Sequence, residues 1–175
     1  MPKKPEVIVL SALAEGQFGL SKAKADALVE AAEVCLHHNE HRNGVRLQIS
    51  GRSSASHTLE FSSPSKAALR ANADLREAVE DGATAVAIAV VTRTTDYRVV
   101  ERSFRTTGID WWLGRQDGVF EARLEVSGIL KGPHRVGSRV QEKLEQMQQS
   151  DATGRPGYAA VVEFSAPEAR IAEKA

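Results

Sequence analysis

Hydrophobic and polar positions alternate strictly in VRLQIS, residues 45–50: Val45, Leu47 and Ile49 fall on one side, Arg46, Gln48 and Ser50 on the other. A period of two marks a half-buried strand. GRSSASH then reads as a turn and TLEFS as the returning strand of a hairpin. Upstream the period lengthens. Ser21 stands as a cap before KAKADALVEAAEVCLHHN, where Leu28, Ala32, Cys35 and Leu36 form a stripe at helical spacing. EVIVL, before it, is too short to separate a strand from a helical turn. After the hairpin, Ser63 and Pro64 mark another helix start, because the missing N–H of proline costs nothing at the first helical position. The pattern predicts a helix over 65–81, with Leu75 and Val79 inward and Gly82 ending it.

Residues 84–91 are apolar without alternation, between Gly82 and TRTTD, which predicts a central strand covered on both faces. YRVVERSF, TGIDWWLG and VFEARLEVSGIL follow as strands. RQDG between the last two is a hairpin turn, since Asp-Gly tolerates positive φ. A two-residue turn at Asp117-Gly118 sets the register: Trp111 faces Leu124, Trp112 faces Arg123, and Asp110 faces Glu125. GSRVQEKLEQMQQS predicts a helix over 137–150, with Ser138 as cap and Val140, Leu144 and Met147 buried. YAAVVEFS contains a second interior strand, 158–164, and the tail APEARIAEKA is a short helix or frayed. The expected architecture is one α/β domain over 1–175, with a mixed central sheet of five or six strands flanked by helices. Residues 1–60 form a helix-plus-hairpin extension to an α/β core over 61–165.

Composition narrows this little. Hydrophobic residues make up 42% of the 175, which suits a single core. Basic and acidic side chains number 23 each, which argues against general coating of nucleic acid but leaves room for a local basic patch. The lone cysteine, Cys35, cannot form an intramolecular disulfide and sits on an apolar stripe, as a small buried hydrophobe would. The opening MPKKPEVIVLSALAEG lacks the apolar run of a signal peptide. The longest apolar run, 85–91, falls far short of the roughly 20 residues that cross a bilayer. A soluble cytoplasmic protein is the expectation. There is no P-loop, nucleophile elbow, dinucleotide fingerprint or CxxC, which argues against NTPases, α/β-hydrolases and dinucleotide oxidoreductases. In HHNEHRNG, His37 and His41 share a helical face and could hold zinc with Glu40 or Cys35. Histidines also suit a helix C-terminus without any metal.

The candidate chemistry lies in GIDWWLGRQDGVFEARLEVSGILKG. Alternation puts Phe120, Ala122, Leu124 and Val126 on one face, and Glu121, Arg123, Glu125 and Ser127 on the other. This second row is either a solvated face with cross-strand charge pairing or the edge of a metal site. Asp110 and Glu125, on adjacent strands, are placed to chelate a hard divalent cation. The helix after this strand carries Arg135, Arg139 and Lys143 four apart, a basic stripe suited to phosphate or, as readily, to solvent.

From residue 64 the order helix, strands, strand with Asp110, strand with Glu125, helix, strand resembles the PD-(D/E)xK nuclease superfamily. The resemblance implies a restriction-endonuclease-like core and Mg²⁺ or Mn²⁺ held by Asp110 and Glu125, with Glu80 or Glu121 as a further acid. It implies hydrolysis of phosphodiesters in DNA or RNA. Ser127 stands where the family has its lysine, so Lys131 or Arg123 would have to serve in its place. The missing lysine supports an alternative of another class: a non-catalytic interaction or assembly subunit, as a homodimer or with an unknown protein. There Trp112, in the charged row beside Arg123, would be the interface residue.

Overall fold

The computed structural model describes residues 6–175. The first five, including the lysines that open the segment read as lacking a signal peptide, lie outside them. EVIV forms β1 (Glu6–Val9), and a 3-10 turn leads to α1 (Lys22–His38). The Ser21 hydroxyl caps this helix by accepting from the Lys24 amide at 3.2 Å, and the stripe Leu28, Ala32, Cys35 and Leu36 is buried as expected. The hairpin follows as β2 (Val45–Gly51) and β3 (Ala55–Glu60), paired antiparallel, with β1 parallel to β3.

The helix expected over 65–81 is instead two helices, α2 (Lys66–Ala71) and α3 (Leu75–Thr94). Ser65, not Ser63, caps α2 by accepting from Ala68 N at 3.0 Å, and Asp74 caps α3 by accepting from Arg76 N at 3.0 Å. Residues 84–91 belong to α3, so the central strand expected there does not exist. An apolar run covered on all sides fits a buried helix as well as a buried strand. Here the alanines at 78, 83, 85, 87 and 89 favour the helix. The helix is enclosed because α1 covers one side of it and the sheet the other. Gly82, expected as a stop, lies inside α3 at its crossing with α1. A Cβ there would stand 2.8 Å from the Ala32 Cα.

Strands β4 (Arg98–Arg102), β5 (Trp111–Gly114) and β6 (Ala122–Ile129) then run antiparallel in turn. The expected register holds, with Trp111 opposite Leu124 and Trp112 opposite Arg123. Helix α4 (Val136–Gln146) continues as a 3-10 segment through Thr153 and returns the chain to β7 (Gly157–Glu163), parallel to β6. Within α4, Ser138 donates its hydroxyl to the Arg135 carbonyl and is not the N-cap. The tail read as helical or frayed is strand β8 (Glu168–Lys174), with Ala169 and Ile171 buried.

Among the described residues these strands form one mixed eight-stranded sheet, in the order β1-β3-β2-β8-β7-β6-β5-β4. The expectation of five or six strands counts 84–91, which is helical, and omits β1, too brief to assign, and β8, in the tail read as a short helix or frayed. β8 joins β2 to β7, so the N-terminal hairpin continues the same sheet. Even-numbered residues of β6 and β7, such as Leu124, Val126 and Ala160, join α3 in the main core. Odd-numbered ones, Ile129 and Val161, pack on Val136 and Val140 of α4. Alternation therefore places α3 and α4 on opposite faces. No helix among the described residues is long and apolar enough to cross a membrane.

Candidate active site

β5 covers only the first part of β6. Its paired residues end at Trp111 opposite Leu124, and the following amides of β6 face no strand on that side. The Asp110 backbone extends the pairing, its N–H reaching the Leu124 carbonyl at 2.8 Å. Its side chain then replaces the missing strand: one carboxylate oxygen accepts from Val126 N at 2.9 Å and the other meets Arg102 at 3.2 Å. Two positions further along β6 is Gly128. A Cβ there would come within 2.4 Å of the Val79 carbonyl, so only glycine lets α3 lie this close. That approach brings Glu80 to the same uncovered edge. The surrounding protein desolvates the Glu80 carboxyl and raises it above the usual carboxylate range. The Gly128 amide and the charges of Lys143 and Arg139 oppose the rise, and Asp110 adds to it.

The polar row of β6 is not the wet face that its alternation allows. Arg123, Glu125 and Ser127 are 1%, 3% and 1% exposed, because α4 and the 3-10 segment lie over them. Each meets a partner there. The Glu125 carboxylate accepts from Lys143 Nζ at 2.8 Å and from the Gln146 amide at 2.9 Å. Arg139 donates to the Ser127 hydroxyl at 2.9 Å and pairs with Glu142 at 3.1 Å. Arg123 donates to the Met147 carbonyl, to Ser150 and to Asp151. Burial, reinforced by repulsion from Asp110, pushes the Glu125 carboxyl up to about 7, against the pull of Lys143.

Asp110, just before β5, therefore acts electrostatically on both Glu80 of α3 and Glu125 of β6 at one sheet edge, and so does Lys143. The remaining expected site residues go elsewhere. Arg123 is locked under the 3-10 segment and is not free to meet a phosphate. Glu121 sits at the hairpin end, where Arg115 pairs with it and holds its carboxyl below the usual range. Lys131 is exposed and has no hydrogen-bond or ion-pair partner among the described residues. Of the basic stripe, Arg139 and Lys143 turn inward onto β6, while Arg135 is exposed beside Gly132. Trp112 is half-buried and stacked on Phe120, ring centroids 5.1 Å apart. His41 bonds the Phe164 and Ser165 carbonyls, and burial pushes the Cys35 thiol up to about 12. No group of three His, Cys, Asp or Glu side chains arranged to hold a metal ion occurs among the described residues.

Two participants were not legible as such. Lys143 reads from the sequence as part of an outward stripe, and its pairing with Glu125 depends on how α4 crosses the sheet. Glu163, wholly buried at the end of β7, accepts from the amides of Gly132, Ser165 and Ala166 and so fixes the loops at both strand ends. Nothing in YAAVVEFS marks this. Comparison with protein-family models, curated proteins and solved structures returns no match.

Proposed function

We propose that the chain is a divalent-metal-dependent phosphodiesterase acting on nucleic acid, with a restriction-endonuclease-like core of α3, β4, β5, β6, α4 and β7. The observation that carries this reading is the meeting of Asp110 and Glu125 with Lys143 where β5 stops covering β6. With 84–91 in α3, the order becomes helix, three antiparallel strands, helix, parallel strand, which is the simplest core of the PD-(D/E)xK superfamily. Lys143 fills from α4 the place of the lysine that Ser127 lacks on β6.

Asp110 and Glu125 supply two hard oxygen donors, and Mg²⁺ is commonly held by one or two carboxylates with water and substrate phosphate completing its shell. A bound Mg²⁺ or Mn²⁺ would polarise the phosphate and lower the pKa of an attacking water. Glu80, at the same edge beside Asp110, adds negative charge that favours the cation. Lys143, an ammonium beside Glu125, would stabilise charge developing on the phosphate.

The test is cleavage of plasmid and single-stranded DNA with Mg²⁺ by the wild type, Asp110→Ala, Glu125→Ala and Lys143→Met. The expected outcome is cleavage by the wild type and a loss of about a hundredfold or more in each variant, as removal of a charge-stabilising group typically gives. A wild type that neither cleaves nor binds Mg²⁺ by calorimetry ends the enzyme reading. One observation favours the rival, a non-catalytic assembly subunit: each polar side chain of the β6 row already has a protein partner, as in a purely structural network.

A further inference from the structure

A cavity of about 630 Å³ opens beside the acidic edge, between the start of α1, the N-terminal half of α3 and the β4–β5 pair. Arg102 joins it to the site: it lines the cavity, pairs with Asp110 at the acidic edge and lies over the Trp111 ring, 5.1 Å from its centroid. The volume lies within the ~300–1,000 Å³ of ordinary small-ligand sites.

We infer that this cavity is a nucleotide subsite that takes one unpaired base next to the reacting phosphate, which makes single-stranded nucleic acid the substrate class. The inference rests on the phosphodiesterase reading. The lining has both halves of a nucleotide's chemistry. Phe18, 43% exposed, and Leu28 offer an apolar wall on which a base can stack. Lys24 and Arg102 offer positive charge to a phosphate, and the seventeen-residue α1, with no acid in its first turn, points its N-terminus at the same space. Asp81, an acceptor when ionised, suits the amino or imino edge of a base. Trp111 backs the cavity; it is 2% exposed, and its buried indole Nε1 has no hydrogen-bond partner.

A base seated here has left its stack and its partner, which a single strand permits at little cost and a duplex does not. The formal net charge of zero also gives a duplex no general attraction, so local contacts must supply the affinity.

The experiment is fluorescence anisotropy with labelled oligothymidylate of about 12 nucleotides, within the usual ~4–16-nucleotide span of single-strand sites. The same strand annealed to oligoadenylate serves as the duplex arm. Both are measured in EDTA, so that binding is read without cleavage. The proteins are the wild type, Phe18→Ala and Lys24→Glu, checked for equal unfolding midpoints. The wild type should bind the single strand more tightly than the duplex, and Phe18→Ala should weaken single-strand binding about tenfold, as loss of one stacking partner does. Absence of single-strand binding, equal affinity for the duplex, or unchanged affinity in both variants overturns the subsite. Failure of the catalytic reading looks different: wild-type protein that binds the single strand through Phe18 and does not cleave it with Mg²⁺ loses the catalysis and keeps the pocket.

Discussion

Glu125 is the residue whose environment departs furthest from what its position in the chain suggests. Its carboxyl rises from 4.5 to about 7 because it is buried and because Asp110 repels its charge, with Lys143 opposing. In the unfolded chain it titrates in the ordinary range, so between those values the folded state holds the extra proton. Folding stability then falls as pH rises from about 4.5 through 7, by about 1.4 kcal/mol for each pH unit crossed. The cost at pH 8 is about 3 kcal/mol. Glu125→Gln cannot ionise, so in EDTA it should be more stable than the wild type at pH 8, with the difference fading at pH 4. Urea unfolding at the two pH values measures this. A variant less stable at pH 8 would mean that the Lys143 pair stabilises the fold more than burial opposes it. Asp110 and Glu125 were both legible, since the register brings them together on adjacent strands. The burial of Glu125 was not, because alternation says which side a residue takes and not what lies over that side.

At the scale of elements, the instructive segment is 75–94. Its apolar run has no period of its own, and the structure resolves it as the middle of one helix because α1 and the sheet enclose it. The crossing with α1 depends on Gly82, where any side chain meets the backbone of Ala32. Gly82→Ala illustrates two opposed effects. Helix propensity favours alanine by about 1 kcal/mol, while forcing the two helices apart costs about 1–3 kcal/mol. The Cβ would stand 2.8 Å from a backbone Cα that cannot swing away, so the net effect should be destabilising. Thermal unfolding of Gly82→Ala should show a lowered midpoint, and a raised one would mean that α1 and α3 separate freely. Strand β8 makes the complementary point. Period two is present in EARIAEK, with Ala169 and Ile171 inward, but acidic and basic residues between them resemble an exposed helix as much as a strand between two others.

For the whole molecule, the edges of the sheet bear on whether it works alone. β1 and β4 are those edges, and the loop after β4 carries Phe104, 79% exposed. An exposed phenylalanine of this size suits a protein interface, which makes it a better probe of assembly than the stacked Trp112. If the chain works as a homodimer through this edge, light scattering should give twice the chain mass, falling to one chain mass in Phe104→Ala. A single-chain mass for both proteins at every concentration removes the homodimer and leaves the assembly reading only an unknown second protein.

Local chemistry determined several features without help from the fold. The Ser21 cap, the alternating hairpin of β2 and β3, and the Asp-Gly turn with its register are set by neighbours a few residues apart, and the sequence contains those neighbours. Such features include the juxtaposition of Asp110 and Glu125. Tertiary structure decided the rest. It made 84–91 a helix, joined the tail to the centre of the sheet, sank the β6 row beneath α4, and turned Lys143 toward Glu125. Each of these depends on which element lies across the chain from far away in sequence. An apolar run, a charged strand or a basic stripe is compatible with several such neighbours, and only packing selects one.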